Sequence, residues 1–343
     1  MTVALMYHAL YEGHSLATID AEDRPYAIDL DTFRRQLDLL EASGRVGIPM
    51  PGTPLPDYII TFDDGHLSNA ELALPELVAR GLPAVFFITT GFTGKRAHFC
   101  GSDELAALAD AGMTIGSHGV THRFFDDMTP GEARSELADS RAFLEAATGR
   151  ECRSLSFPGG RFTAATLRLL PETGYHQWYG SATGLIDERH FVDRSSETVT
   201  PELTLPATGT LPLQVVSPEN ATPKNGTVPL QAAPLQALSP ENAMRESAME
   251  EAVMTKSAMR EVTMTQAEPS DGVAGNDRLR WQRLEPLPRS AIRASTSEEE
   301  FRRMVEPDLA WYRRQQRVAA VKGGVRRLLG NRLYHALYRM AAR

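Results

Sequence analysis

Short apolar segments alternate with helix-like segments over the first 195 residues, and this alternation restricts the fold more than any other feature. Residues 58–62 form one such segment, and their uninterrupted apolar character is typical of a strand buried on both faces of a parallel sheet. Further strands are predicted at residues 3–7, 83–88, 113–116 and 153–157 and from residue 176. Repeated strand–helix units predict an α/β fold with a parallel sheet that is closed or nearly so. Periodicity alone does not distinguish a barrel from an open doubly wound sheet.

Helix signals separate these strands. The first predicted helix begins with Asp31 as its N-cap and ends at Gly44. Residues 129–132 carry a capping box with Pro130 at the first helical position, which opens a long helix that ends at Gly149. The other predicted helices lie at residues 68–80, 103–111 and 163–172.

Two adjacent carboxylates, Asp63 and Asp64, follow the strand at residues 58–62. Gly65 allows the backbone to turn sharply after them. In parallel α/β proteins, the carboxyl edge of the sheet is where sites are built. The pair therefore indicates a functional site. A solvated Asp-Asp-Gly turn is the alternative, because Asp-Gly is a common turn signal.

A pair of histidines, His118 and His122, follows the strand at residues 113–116. Two histidines four positions apart reach one metal ion if their segment is helical or tightly turned. Imidazoles and a carboxylate form a common hydrolytic metal site, with positions left open for water and substrate. Two surface histidines near a turn are the alternative. The coincidence with the acidic pair on successive predicted strand ends favours a metal centre.

A third segment, Phe157-Pro158-Gly159-Gly160, completes a pattern that resembles the polysaccharide deacetylases, carbohydrate esterase family 4, also called the NodB homology domain. The Thr-Phe-Asp-Asp-Gly motif of that family stands at residues 61–65, and its histidine motif stands at residues 118–122. The opening segment, residues 5–8, is similar to the first strand of members that make or modify exopolysaccharides. The resemblance covers about residues 1–195 and, more weakly, the C-terminal end.

The resemblance implies a distorted (β/α)7 barrel and metal-dependent removal of acetyl groups. In the family, the first aspartate of the pair is the base and the second is a metal ligand. Asp63 is therefore the expected base, and the expected metal ligands are Asp64, His118 and His122. The family's oxyanion is held by the backbone N–H after the proline, which is that of Gly159 here. Carboxylate and imidazole ligands suit Zn²⁺ and other borderline divalent ions, so a divalent metal, with Zn²⁺ first, is the expected cofactor.

Two features of the family are missing from this pattern. Many members place an arginine two residues before the motif proline, where it contacts the base, and this chain has Ser156 there. The Leu-x-His motif that supplies the general acid is not found. The histidines considered in its place are His8, His66, His176 and His190. Of these, His8 and His66 lie nearest the site by sequence, but neither matches the acid of the family.

Charge and composition limit the classes of binding partner and the cellular location that we expect. The net charge of −8 disfavours a general nucleic-acid binder. Two cysteines, Cys100 and Cys152, are too few for a disulfide framework. The N-terminal segment has no basic region and too short an apolar run for a signal peptide, and no window approaches the ~18 apolar residues of a membrane span. The expected location is the cytoplasm.

Residues 200–277 differ in composition from the barrel predicted at residues 1–199. A segment at residues 212–221 recurs at residues 234–243, and methionines then recur at every fifth position from Met244. A five-residue step turns a helix by about 500°, so these methionines spread around it and leave no face to bury. A disordered, repeat-expanded insertion is predicted here, with a Met-rich interaction or metal-sensing segment as the alternative.

Globular character resumes in residues 278–343. A strand that returns to the barrel is predicted at residues 287–293, and Ser297 is predicted to cap a helix. From Leu309 onward the segment is basic, contains no Asp or Glu and carries an apolar stripe. A basic amphipathic helix is typical of peripheral contact with a membrane. Packing of this helix on the barrel is the alternative.

The expected function is metal-dependent removal of acetyl groups from N-acetylated sugars of a bacterial polysaccharide or glycolipid. The expected partner is therefore an acetylated carbohydrate or sugar-lipid, and no nucleic acid. One alternative is a catalytically inactive barrel that binds carbohydrate or acts as a scaffold, and the complete set of Asp63, Asp64, His118 and His122 argues against it. A peptidoglycan or chitin deacetylase outside the cytoplasm is a second alternative, disfavoured because no signal peptide is recognised.

Overall fold

A computed structural model describes residues 1–21, 23–50, 53–193, 280–282 and 285–318. The predicted insertion at residues 200–277 lies outside these residues. So does most of the predicted basic C-terminal helix, of which residues 309–318 are described and helical. Disorder of the insertion and membrane contact of the C-terminal segment therefore stay predictions. Among the described residues, no helix combines the length and the apolar character that crossing a bilayer requires.

Seven parallel strands form the central sheet. They are β1 (Val3–Tyr7), β4 (Tyr58–Phe62), β5 (Ala84–Ile88), β6 (Thr114–Ser117), β7 (Ser154–Ser156), β8 (Gln177–Tyr179) and β11 (Ser290–Ala291). Their order across the sheet is β11-β1-β4-β5-β6-β7-β8. Two short pairs lie outside it: β2 (Leu10–Tyr11) with β3 (Ile28–Asp29), and β9 (Phe191–Asp193) with β10 (Arg280–Gln282).

The segment around β11 joins the two edges of this sheet. Leu287 forms a parallel bridge with Tyr179 of β8, and its N–H donates to the carbonyl of Trp178 at 2.9 Å. A few residues later, Ser290 of β11 pairs with Leu5 of β1. The curled sheet with its helices is the predicted (β/α) barrel. The predicted return of the chain to the barrel near residues 287–293 is also confirmed.

Besides the helical segment at residues 309–318, six α-helices lie in the described part, and five of them connect strands. They are α1 (Leu30–Ser43), α2 (Leu74–Arg80), α3 (Ser102–Asp110), α4 (Pro130–Thr148), α5 (Ala164–Glu172) and α6 (Glu298–Val305). The predicted capping box of α4 and the predicted cap Ser297 of α6 are confirmed. The predicted cap of α1 is wrong. Asp29, not Asp31, is the N-cap, because β3 runs directly into the helix and Asp29 is its last extended residue.

The alternation of side chains along β4 sets the position of the site. Tyr58, Ile60 and Phe62 belong to the core between the sheet and the helices, whereas Ile59 belongs to a separate cluster with residues of the other strands. Because successive side chains of a strand point to opposite faces, Thr61 and Asp63 continue the face of Ile59. Asp63 therefore leaves the carboxyl end of β4 toward the interior of the barrel.

Candidate active site

Asp64, His118 and His122 meet at the carboxyl ends of β4 and β6. Asp64 Oδ1 lies 3.3 Å from His118 Nε2 and 3.1 Å from His122 Nε2. One candidate ligand atom from each residue lies within 4.8 Å of the other two, and no other such group of His, Cys, Asp or Glu occurs in the described residues. The fold thus brings the three predicted metal ligands together.

Two of these residues adopt an unusual backbone conformation. Asp64 has φ of 76° and His122 has φ of 60°, in the left-handed region that non-glycine residues rarely occupy. Such conformations cluster at functional sites, where the surrounding structure enforces them. Gly65 continues the first turn with φ of 84°, and a Cβ atom there would lie 3.1 Å from Ile88 Cδ1. This tight turn allows Asp63 and Asp64 to point in different directions.

A buried carboxylate anchors the turn between the two histidines. Glu136 of α4 accepts hydrogen bonds at Oε2 from the N–H groups of Val120 (2.6 Å) and Thr121 (3.0 Å). Its Oε1 accepts from the Thr121 hydroxyl at 2.6 Å. Gly119 has φ of 79°, and a Cβ atom there would lie 2.9 Å from Glu136 Oε2. The histidines therefore approach each other through a tight turn, one of the two conformations that their spacing allows.

His118 is buried in one orientation. Its Nδ1 lies 2.8 Å from the carbonyl oxygen of Ser156. Because a carbonyl only accepts, Nδ1 carries the proton, and Nε2 presents its lone pair toward Asp64. Burial lowers the pKa of His118 to about 4. The imidazole is therefore neutral at pH 7, which is the form that binds a metal.

The charges of Asp64 and His122 depend on each other. Burial raises the pKa of Asp64, but the contact with His122 and the neighbouring histidine charges outweigh burial, so the pKa lies below its ordinary value. Burial also opposes the charged form of His122, yet the contact with Asp64 raises its pKa above the ordinary value. The His122 side chain is 37% exposed, against 3% for His118. One side of the cluster is thus open to solvent.

This donor set fits a divalent cation. Asp64 Oδ1 is buried and has no well-formed hydrogen bond among the described residues. A buried carboxylate oxygen in this state is costly unless something compensates it, and a cation shared with two imidazole nitrogens does so. One carboxylate and two imidazoles suit Zn²⁺ and other borderline divalent ions.

Asp63 belongs to a second network. Arg289 donates from Nη1 to Asp63 Oδ1 at 2.7 Å and from Nη2 to Oδ2 at 2.8 Å. The Ser156 hydroxyl also donates to Oδ2, at 3.0 Å. Burial raises the pKa of Asp63, but the Arg289 charge and nearby histidines outweigh it, so the pKa lies below its ordinary value. Asp63 is therefore a buried, ionised carboxylate at neutral pH.

Arg289 is a site residue that the sequence did not identify. The sequence predicted only a strand around it, and the expected arginine position before the motif proline holds Ser156. In the structure both side chains contact the Asp63 carboxylate, and Arg289 Nη2 donates to Ser156 Oγ at 2.7 Å. One signal for this role was available in the sequence. Arg289 lies in a segment predicted to return to the barrel, and a guanidinium that is buried there requires a buried partner of opposite charge.

Gly159 lies in the turn that follows β7. Its φ is 59°, and a Cβ atom there would lie 2.7 Å from Phe124 Cε1, so the turn requires glycine. The same segment carries Ser156, which contacts both Asp63 and His118. The predicted use of the Gly159 N–H as an oxyanion donor stays a prediction.

Of the four histidines weighed as the general acid, His8 lies near both aspartates. His8 follows β1. Burial raises the pKa of Asp63 and that of Asp64, whereas the charge of His8 contributes to lowering both pKa values. Its ring packs on Tyr26 with centroids 4.7 Å apart, and its Nδ1 is buried without a hydrogen-bond partner among the described residues. His8 is thus positioned near the site with one ring nitrogen uncommitted.

The other three histidines are placed less favourably. His66 is 8% exposed, its Nδ1 lies 2.8 Å from the Ser68 hydroxyl, and burial lowers its pKa to about 4. His176 comes directly before β8, at the amino end of that strand and thus opposite the site. His190 Nδ1 accepts from the N–H of Asp187 at 3.1 Å.

A depression of about 250 Å³ opens beside the exposed side of the cluster. It is lined by Asp23, Asp64, Phe92, Arg96, Phe99 and His122. The Arg96 guanidinium carbon lies 4.8 Å from the Phe92 ring centre and 4.6 Å from that of Phe99. Aromatic faces beside charged groups are typical of sites that hold an organic ligand.

Comparison with known proteins agrees with this geometry. The Bacillus subtilis (strain 168) protein YxkH, itself named only provisionally as a polysaccharide deacetylase, is 30% identical over 173 residues, which are 50% of this chain and 61% of YxkH. Residues 52–178 match the family model of the polysaccharide deacetylases. The sequence of this range therefore resembles that of the polysaccharide deacetylases. The matched range contains the two aspartates, the two histidines and Gly159. The chain spans less than two thirds of the length of this curated relative.

Two solved structures are similar to this protein. Streptococcus pyogenes deacetylase PplD, solved in complex with acetate, has a TM-score of 0.50 and 22% identity over 55% of this chain and 87% of PplD. IcaB from Ammonifex degensii has a TM-score of 0.45 and 25% identity over 52% of this chain and 83% of IcaB. The likeness to PplD shows that the barrel has the fold of the deacetylases.

Proposed function

We propose that this protein is a metal-dependent hydrolase that removes acetyl groups from N-acetylated sugars of a bacterial polysaccharide or glycolipid. One observation carries the proposal: an ionised carboxylate, Asp63, lies next in the chain to Asp64, which meets two imidazoles. Amide hydrolysis requires an activated water, a polarised carbonyl and a proton for the leaving amine. The site offers a separate group for each requirement.

Asp64, His118 and His122 would hold the cation. A divalent ion bound there supplies Lewis-acid chemistry, because it polarises an acyl oxygen and acidifies water. The neutral His118 is ready to bind, since its Nδ1 proton is committed to the Ser156 carbonyl. The exposed side of His122 faces the depression where an acetylated group has access.

Asp63 is the proposed base. An ionised carboxylate has about four lone-pair sites, and three hydrogen bonds from Arg289 and Ser156 occupy three of them. One site on Oδ1 remains for the proton of an attacking water. The low pKa of Asp63 keeps this site unprotonated at neutral pH. A general base of this kind contributes about 10²–10⁴-fold to the rate.

His8 is the proposed donor of the leaving-group proton. Its uncommitted Nδ1 and its electrostatic influence on both aspartates support this role. When the carbonyl carbon–nitrogen bond breaks, the nitrogen takes the proton from His8 and leaves as the sugar amine, and the acyl part leaves as acetate. The N–H of Gly159 is proposed to donate to the oxyanion, as the family resemblance implies.

Acetate release tests this proposal. Purified protein, stripped with chelator and reloaded with Zn²⁺, Co²⁺ or Mn²⁺, is incubated with a panel of N-acetylated oligosaccharides and sugar-lipids. We expect acetate from at least one substrate, with chelation abolishing the release and reloading restoring it. The rival is a catalytically inactive barrel that binds carbohydrate. Stoichiometric metal without acetate from any substrate would support that rival.

A further inference from the structure

The loop between β5 and α3, residues 89–101, is fixed to both turns that present the candidate metal ligands. The N–H of Thr89 donates to the Asp64 carbonyl at 3.2 Å, which ties the start of the loop to the first turn. The N–H of Gly91 donates to the Val120 carbonyl at 2.8 Å, in the turn between the two histidines. The loop therefore holds a set position relative to the metal-ligand cluster.

Three side chains of this loop, Phe92, Arg96 and Phe99, pack into what we call the aromatic–arginine unit. The N–H of Arg96 donates to the Phe92 carbonyl at 2.9 Å, so one turn of backbone separates the two residues. The Phe92 and Phe99 rings pack edge to face with centroids 4.9 Å apart, and the Arg96 guanidinium lies over both rings. The Phe92 ring centre is also 5.9 Å from that of His122. The unit thus forms a wall of the depression beside the cluster.

The charge of Arg96 has acidic partners within the protein. Its guanidinium forms ion pairs with Asp20 and, at 3.6 Å from Nη2 to Oδ2, with Asp23. The Arg96 and Asp23 side chains are 31% and 33% exposed, so their pair lies at the surface of the depression. Since two carboxylates lie against one guanidinium, the depression does not require an anion to balance Arg96. A guanidinium and a carboxylate together provide hydrogen-bond donors and acceptors for an uncharged polar group.

The depression has two kinds of wall, and these indicate the chemistry of its ligand. The phenyl rings suit an apolar surface, and the ion pair suits hydroxyl groups. A pyranose ring combines both, because its C–H groups form an apolar face and its hydroxyls surround the rim. The volume of about 250 Å³ lies below the ~300–1,000 Å³ that is usual for drug-sized ligands, so there is room for a small ligand such as one sugar ring. Because Asp64 and His122 line the same depression, a ring bound there lies beside the proposed cation.

We propose that this depression binds the uncharged pyranose ring that carries the acetyl group. Phe99 packs against the apolar face of the ring, and the Arg96–Asp23 pair forms hydrogen bonds with its hydroxyls. The aromatic–arginine unit thereby determines which sugars bring their acetyl group to the cation. This inference rests on the proposed function, since it assigns a specificity site to the substrate of the same reaction. The three residues take no chemical step, so their loss should affect substrate binding and leave metal binding and turnover intact.

The experiment compares Arg96→Met and Phe99→Leu with the parent protein, each loaded with Zn²⁺. The first probe is whichever tetramer, of N-acetylglucosamine or of N-acetylgalactosamine, releases acetate faster. The second is ethyl acetate, which carries the acetyl group without a ring.

The expected result is a loss confined to KM for the tetramer. A hydrogen bond to a charged group corresponds to about tenfold or more in an equilibrium constant, so we expect KM to rise by about tenfold in Arg96→Met. Loss of an aromatic contact should raise KM by about fivefold in Phe99→Leu. We expect kcat on the tetramer, bound Zn²⁺ and hydrolysis of ethyl acetate to stay within about twofold of the parent values.

Two matched controls separate a binding role from general effects. Arg80→Met removes another partly exposed arginine, which pairs with Asp38. Arg80 ends α2 shortly before β5 begins, so it lies at the edge of the sheet opposite the site. Phe143→Leu removes an exposed phenylalanine of α4. Both controls should keep the parent KM for the tetramer.

The outcomes that would overturn the inference are specific. One is a KM for the tetramer within about twofold of the parent value in either folded variant, against the five- to tenfold rise expected. Another is an equal loss on the tetramer and on ethyl acetate, because the residues would then act on the acetyl group or the cation and not on the ring. If Arg96→Met does not fold, Phe99→Leu decides, since leucine keeps most of the apolar volume.

The charge of the ring is tested separately. Tetragalacturonate, whose rings each carry a carboxylate, is titrated into metal-free protein beside the N-acetylated tetramer. We expect the acidic tetramer to bind more weakly, since Arg96 is already paired with carboxylates. Equal or tighter binding of tetragalacturonate would contradict a site for an uncharged ring.

Failure of the proposed function would look different. Parent protein that releases no acetate from either tetramer with any cation contradicts the proposed function. Calorimetric titration with the two tetramers then decides the inference. We expect at least one tetramer to bind the parent protein, and to bind Arg96→Met and Phe99→Leu more weakly by the factors given for KM. Absence of binding to the parent protein, or equal binding to all three proteins, would overturn the inference.

Discussion

Asp63 and Asp64 share a peptide bond, yet their carboxylates face separate networks. Asp63 accepts from Arg289 and Ser156 inside the barrel, whereas Asp64 Oδ1 lies 3.1 Å from His122 Nε2 at its mouth. The left-handed conformation of Asp64 makes this divergence possible. These two consecutive residues thus present one carboxylate that can accept a proton and another that can bind a cation.

The anchor of the histidine turn leads to the first prediction. Glu136→Gln replaces one of two acceptor oxygens by an amide group, so the three donors of Val120 and Thr121 lose an acceptor. Groups that orient metal ligands typically account for 10–100-fold in metal affinity, and we expect Zn²⁺ affinity to fall by about that factor. Competition with a chromophoric chelator measures it. Asp139→Asn is the control, because Asp139 is an exposed acidic residue of the same helix. Equal loss in both variants would show that Glu136 has no specific role.

His8 leads to the second prediction. His8→Gln removes the proposed proton donor, and we expect about a 10²-fold loss in kcat on an N-acetylated sugar. An aryl acetate has a leaving group that departs without protonation, so the same variant should hydrolyse it at nearly the parent rate. His66→Gln is the comparison, because His66 is bonded to Ser68 and is given no role. If the loss in His8→Gln were the same on both substrates, His8 would not be the acid.

The predicted insertion leads to the third prediction. Asp193 of β9 and Arg280 of β10 are paired residues, so the chain leaves and re-enters the described fold at neighbouring points. A short Gly/Ser linker spans such a distance. We expect replacement of residues 200–277 by this linker to change the free energy of unfolding by less than ~1 kcal/mol, as for changes outside packed regions. Denaturant titration measures it, and a clearly larger loss would mean that these residues pack on the barrel.

Local patterns in the sequence predicted the parts of the site that lie next to strand ends. The apolar run of β4 ended at Asp63 and Asp64, and β6 ran into His118 and His122, so the meeting of these groups followed from a parallel sheet. The conformation of the histidine segment did not follow. Its tight turn depends on Glu136, which lies on a different helix.

The rest depended on contacts between distant positions. Arg289 and Asp63 are 226 residues apart, and nothing local to either residue indicates the other. Ser156 stands at the position where many family members have the arginine that contacts the base. In the structure, this small side chain leaves the space that the Arg289 guanidinium fills. The cap of α1 was misplaced because two residues of β3 precede it, and so short a strand gives little periodic signal.

Asp63→Asn, loaded with Zn²⁺, tests the separation of base and metal ligand most directly, with His122→Ala as its counterpart. The measurement is acetate release per bound Zn²⁺, at a temperature where unfolding curves show each variant folded. We predict that Asp63→Asn binds Zn²⁺ in full and loses about 10²–10⁴-fold in kcat, the usual share of a general base. His122→Ala should lose metal and activity together. Loss of Zn²⁺ from folded Asp63→Asn, or a parent rate in either variant, would contradict the assignment.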